Sequence, residues 1–200
     1  MNENRSSFVL AAVVVALGAA LLLSIRLPAA EKEHTYVGSK DCKKCHIKEW
    51  RSWSETKMAQ SFDLLKPGNA AEEKTGAGLD PTADYTGDQT CLRCHTTGFG
   101  KPGGFVSVDK TPELAGGGCE VCHGPGGTYL EDRYMSMDNK EYKKSELVAV
   151  GMVGEITREL CVECHNTDNP TAGADYVFDF EKSLAEGIHE ILPLKYDHGD

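Results

Sequence analysis

No cysteine in this 200-residue chain stands apart from a partner. All eight lie in C-x-x-C pairs, so the sequence offers no separate thiol nucleophile. It also contains no phosphate-binding loop and no basic patch. Lys and Arg number 21 against 31 Asp and Glu, a formal charge of -10 that repels nucleic acid and anionic lipid. Apolar residues make up 40% of the chain. Once the amino-terminal apolar run is set aside, the remainder is polar and glycine-rich, with little material for a side-chain core. Histidine is scarce too: there are seven, and four of them directly follow a cysteine pair.

Those four sites share one five-residue pattern: Cys42-Lys43-Lys44-Cys45-His46, Cys91-Leu92-Arg93-Cys94-His95, Cys119-Glu120-Val121-Cys122-His123 and Cys161-Val162-Glu163-Cys164-His165. Each is C-x-x-C-H, the attachment signature of haem c. Two thiols at this spacing can each form a thioether to one vinyl group of the same porphyrin. The adjoining histidine then binds iron from the proximal side. Two C-x-x-C pairs could instead share a zinc ion, but zinc does not require a histidine after every pair. The sequence therefore predicts four covalent haems, held by Cys42, Cys45, Cys91, Cys94, Cys119, Cys122, Cys161 and Cys164. The expected fold is mainly α with long loops, a multihaem c-type cytochrome wrapped around porphyrins that supply the missing core. The first cysteines stand 49, 28 and 42 residues apart, which excludes an equal-period solenoid.

Four irons have eight axial positions. His46, His95, His123 and His165 fill four of them, and only His34, His189 and His198 remain. At least one iron therefore lacks a second histidine from its own chain. Methionine, a neighbouring chain or an open site must make up the deficit. His34 and His198 lie near the ends of the chain and read as solvated, or else as ligands to a haem in this chain or a neighbour.

Two parts are expected, an amino-terminal segment over 1–30 and a tetrahaem domain over 31–200. Arg5 precedes an apolar run from Phe8 to Ile25, near the lower length limit for a bilayer-spanning helix. A retained membrane anchor is the favoured reading. Signal cleavage after Ala29 or Ala30 is the alternative, with Leu27 or Pro28 a poor residue at the -3 position. Either way the domain is exported, to the periplasmic face of the membrane or to the periplasm.

Further along, Ile47 to Phe62 read as a helix whose Trp50 and Trp53 pack on haem faces or edges. Residues 66–90 read as loop. Phe105 to Val108 alternate as a short strand, half of a small β-hairpin. Ser145 to Leu160 read as helix, Tyr176 to Phe180 as extended, and Glu181 to Ile191 as a helix carrying His189.

Several stretches are longer than haem attachment requires. They are Trp53 with Thr56-Lys57-Met58-Ala59, the run from Leu79 to Thr86, Thr97-Gly98-Phe99-Gly100, the run from Gly118 to Gly126, and Tyr176-x-Phe178-x-Phe180 ahead of His189-Glu190. On these the sequence resembles the tetrahaem cytochrome c-554 family, the electron acceptor of hydroxylamine oxidoreductase in ammonia oxidisers, from about Gly38 to Leu194. The resemblance implies a helical fold with stacked and perpendicular haem pairs and an electron shuttle of the periplasm. It implies that His95 is the sole protein ligand of a five-coordinate second haem and that His189 is the distal ligand of the third. The family's distal histidine after the first motif falls on Met58, which would serve the fourth haem. Its distal histidine after Gly-Pro-Gly falls on Arg133, which leaves Met137, or Met135, for the first haem.

Three functions compete. The first is an electron carrier in a respiratory chain, rather than an enzyme, whose redox partners dock through a basic face. The second is a reductase of nitric oxide or a similar ligand at an open haem site on His95. The third is a haem-wire subunit that lends a histidine to the next chain.

Overall fold

Short helices and long loops carry the chain from motif to motif. A computed structural model describes residues 34–193, 196, 198 and 199. The segment 1–30, read as anchor or signal, lies outside the described residues, and no described helix is long and apolar enough to cross a membrane. Among the described residues there are eight α-helices: α1 Ser39–Cys42, α2 Ile47–Ser54, α3 Ala71–Gly76, α4 Gln89–His95, α5 Cys119–His123, α6 Lys144–Val148, α7 Arg158–Val162 and α8 Phe180–Glu186. Two 3₁₀ helices, Ser61–Leu65 and Pro112–Leu114, complete the set.

The helices are shorter than the sequence periodicity suggests, and the reasons are local. Helix α2 stops at Ser54 instead of running to Phe62. Ser52, Ser54 and Thr56 each donate a hydroxyl hydrogen bond to the carbonyl three residues back, which competes with the helical ladder. The helix expected over 145–160 is two helices, α6 and α7, parted at Gly151, whose φ of 108° suits glycine. Helix α8 ends at Gly187, with φ 70°, so His189 follows the helix and is not carried on it. The stretch 66–90 is not all loop, since the good helix formers of Ala71-Glu72-Glu73-Lys74 fold as α3.

No strand is present among the described residues, and the expected β-hairpin is replaced by turns. The Phe105 amide donates to the Thr97 carbonyl at 3.0 Å, and the Val106 amide donates to the Thr111 hydroxyl at 2.9 Å. Val106 and Val108 therefore face solvent instead of pairing with a second strand. One antiparallel bridge, Thr96 with Ala115, ties the end of the second motif to the approach of the third.

The buried apolar cluster is small: Phe62, Leu65, Leu92, Phe105 and Leu114. The Phe62 and Phe105 rings meet at 5.7 Å, tilted as aromatic pairs prefer. Leu92 lies between the two cysteines of the second motif, so this cluster seats that motif directly. Asp88 caps its helix by accepting from the Thr90 amide at 2.8 Å.

Candidate functional site

Each motif is wound as one helical turn. The His46 amide donates to the Cys42 carbonyl at 2.9 Å, and the His165 amide donates to the Cys161 carbonyl at 3.0 Å. The second and third motifs lie wholly within α4 and α5. Residues i, i+3 and i+4 share a helix face, so both cysteines and the histidine of each motif point the same way. That is the disposition a covalent haem needs.

The cysteines of different motifs also act on one another, in a definite order. Cys42 of the first donates a thiol hydrogen bond to Cys119 of the third, and this bond pulls the Cys119 thiol down to about 6. Cys164 of the fourth does the same to Cys94 of the second, again pulling it down to about 6. Cys122 of the third is pushed up to about 11, first by burial and then by its neighbours Cys161 and Cys119. The series of cysteine couplings is thus first, third, fourth, second, which differs from the order along the chain.

A buried clasp fixes the first contact. The Glu120 carboxylate is 2% exposed. It accepts from the amides of Val37 at 3.0 Å, Gly38 at 2.7 Å and Gly126 at 2.6 Å. The segment entering the first motif and the loop leaving the third therefore share one anchor. Ser39 and Thr97 assist: the Ser39 hydroxyl accepts from the Cys119 amide at 3.1 Å, and the Thr97 hydroxyl accepts from the Gly118 amide at 2.8 Å. None of these three was singled out as a site residue from sequence. Glu120 did stand within the conspicuous Gly-Cys-Glu-x-Cys-His-Gly-Pro-Gly run.

His123 and His189 come together with ring centroids 6.2 Å apart and planes inclined by 34°. Two imidazoles bound to one metal from opposite sides, with bonds of about 2.0 Å, place their ring centres roughly 6 Å apart. His189 Nδ1 donates to the Glu190 carbonyl at 2.8 Å, which leaves Nε2 with the lone pair. Burial holds His123 and His165 below the usual imidazole range, in the neutral form that binds metal. His165 stacks on Phe178 at 4.8 Å.

His95 donates Nδ1–H to the Ser61 carbonyl at 2.6 Å. A carbonyl can only accept, so Nε2 is left as the ligating atom, and the backbone fixes the ring. Beside this segment lies a cavity of about 470 Å³ lined by Ala59, Phe62, Asp63 and Ala115 among others.

Met58 is half-buried, and its side chain lies against Gly117, where a Cβ would sit 2.8 Å from Met58 Cγ. The neighbouring Gly116 has φ 95°, and a Cβ there would come within 2.5 Å of the Ala59 carbonyl oxygen. This glycine run lets the third motif approach Met58 closely. Met137, by contrast, is 75% exposed. Trp53 donates its indole N–H to the Gly117 carbonyl at 3.1 Å, and Trp50 lies 6.4 Å from it under the Lys43 ammonium.

The residues present suit covalent haem. The donor sets are thiol pairs, each followed by an imidazole. The Trp50 indole N–H is buried without a protein acceptor, as suits a group beside a propionate-bearing cofactor. Ile47, Val177, Leu184, Ile188 and Ile191 are exposed apolar side chains near the motifs or His189 in sequence, the kind of surface a porphyrin covers.

Comparison with known proteins points the same way. Residues 41–124 match the family model described as cytochrome c554 and c-prime. The chain is 32% identical over 182 residues to cytochrome c-554 of Nitrosomonas europaea, covering 80% of this chain and 77% of that protein. It is also similar to the structure of the reduced state of cytochrome c554 from the same organism. That match has a TM-score of 0.73 and 31% identity, and covers 84% of this chain and 90% of that one.

Proposed function

The chain belongs to the cytochrome c554 family and is a multihaem c-type cytochrome that carries electrons between redox proteins; from that premise we propose that it holds four haems in one series, first, third, fourth, second. The observation that carries this reading is the coupling between cysteine pairs: a thiol hydrogen bond from Cys42 to Cys119 and from Cys164 to Cys94, and an electrostatic influence of Cys161 on Cys122. The eight cysteines attach the haems, and His46, His95, His123 and His165 bind the irons. His189 completes the third site, and Met58 is assigned to the fourth. Bound haem supplies a reversible one-electron couple at iron. The chain's own residues hold the attachment points at fixed spacing, keep His123 and His165 neutral by burial, and orient the rings of His95 and His189 through backbone carbonyls.

We place the domain, residues 31–200, on the periplasmic side, in a respiratory chain. Residues 1–30 serve as membrane anchor or export signal. The formal charge of -10 favours a donor or acceptor with a basic docking face. Electron transfer to a basic partner should slow as salt rises from about 0.01 to 0.15 M, as the Debye length falls from roughly 30 to 8 Å. Stopped-flow oxidation at a series of ionic strengths measures this, and a rate that ignores salt would count against the acidic docking face.

His95 has no assigned partner for its iron, so the second site is read as open. Low-temperature EPR of the oxidised protein should show a high-spin ferric signal from one haem, lost when nitric oxide is added. An all-low-spin spectrum, inert to nitric oxide, would sink the open site and leave a closed conduit. The same sample, weighed by mass spectrometry, should carry four haems.

A further inference from the structure

The first motif is the site whose sixth ligand is least accounted for. Its place in the family resemblance falls on Arg133, and Met137 is 75% exposed. Residues 192 and 193, however, lie at this motif. Leu192 and Pro193 line a cavity of about 320 Å³ together with Cys45 and His46. His198 follows Pro193 by five residues, within about 17 Å along a fully extended chain.

His198 is held as a ligand histidine is held. Its Nδ1 lies 3.0 Å from the Tyr142 carbonyl, which can only accept, so Nε2 is left with the lone pair. Its ring stacks on the Tyr142 ring at 3.9 Å with planes only 9° apart. Its own carbonyl accepts from the Lys144 amide at 3.1 Å. Tyr142 is itself half-buried. Backbone carbonyl, stacked ring and amide together fix the imidazole of a residue near the chain terminus. A solvated tail histidine needs none of these. The device repeats that of His95, whose Nδ1–H is donated to the Ser61 carbonyl.

We propose that His198 is the sixth ligand of the first motif's iron, opposite His46. This rests on the four-haem reading above and extends it. His34 is the weaker candidate. Its Nδ1 meets the Thr128 hydroxyl at 3.0 Å and its ring packs on Gly151, both on the side of the third motif, where His189 already stands.

The test uses the full-length holoprotein and the variants His198→Ala, His198→Met, Met137→Leu and His34→Ala. In His198→Ala, one low-spin bis-imidazole EPR signal should disappear and a second high-spin ferric signal should appear. Imidazole added to the buffer should restore the low-spin signal. His198→Met should keep that haem low-spin, gain a sulfur-to-iron charge-transfer band and raise its potential. Met137→Leu and His34→Ala should leave the spectrum unchanged. An unaltered spectrum in His198→Ala, or the same spectral loss in Met137→Leu or His34→Ala, overturns the assignment. Haem counting by mass separates this outcome from a failure of the parent reading. Fewer than four haems in the unmodified protein would refute that reading, whatever His198 does.

Discussion

Replacing Cys119 and Cys122 with alanine should divide electron flow through the molecule, whereas replacing Cys91 and Cys94 should only shorten it. The two variants each remove one attachment pair, so a view of the motifs as equivalent predicts equal effects. The links between pairs predict otherwise. Among the cysteine pairs, the third motif bonds to the first through Cys42 and is coupled by charge to the fourth through Cys161, while the second pair is coupled only to Cys164 of the fourth. Loss of the second motif removes an end and leaves three sites linked. Loss of the third isolates the first motif from the other two. Photoreduction of a small fraction of the haems, followed by time-resolved absorption, measures how fast the electron equilibrates within one molecule. In the second-motif variant this should stay independent of protein concentration. In the third-motif variant a slow phase should appear whose rate grows with concentration, because electrons reach the first motif only by collision. Equal behaviour of the two would refute the series. Should the third-motif variant shed its other haems, the comparison moves to Cys161 and Cys164, the other interior pair.

The proposed attachment sites come from the sequence alone, because a covalent cofactor demands fixed residues at fixed spacing and C-x-x-C-H states that demand in five letters. Element boundaries were less legible. Ile47 to Phe62 has helical apolar spacing, yet the hydroxyls of Ser52, Ser54 and Thr56 end the helix early. Phe105 to Val108 alternate like a strand, yet a strand needs a partner, and the Phe105 amide is taken by Thr97. Both misreadings share a cause. Apolar spacing along the chain does not record which partner takes each backbone amide and carbonyl. The pairing of His123 with His189 came from family resemblance, and the observed 6.2 Å approach is consistent with it. The order of the motifs in space, and the clasp at Glu120, depend on long-range contacts that no local pattern encodes.

That clasp carries the largest single-residue effect on stability. Glu120→Ala should destabilise the holoprotein by about 3–5 kcal/mol, the cost of three amide donors losing a charged acceptor, partly offset by water. The physical reason is the fate of the donors. The amides of Val37, Gly38 and Gly126 all point at one carboxylate that is 2% exposed, and alanine offers them nothing. Each stranded buried donor costs about 1–3 kcal/mol, less whatever water the enlarged space admits. Total domain stability is about 5–15 kcal/mol, so the loss removes a large part of it. At roughly 2–4 °C per kcal/mol for a chain of this size, the melting temperature should fall by about 10 °C. Glu120→Gln should cost less, since its amide oxygen can still accept while its NH₂ group meets the third amide donor to donor. A second readout separates a local clasp from a general core residue. The clasp joins the approach to the first motif to the exit of the third, so its loss should slow electron exchange across Cys42 and Cys119 while exchange across Cys94 and Cys164 is unchanged. A melting temperature within about 2 °C of the parent would show that Val37, Gly38 and Gly126 find other acceptors and that the first and third motifs are held together by something else.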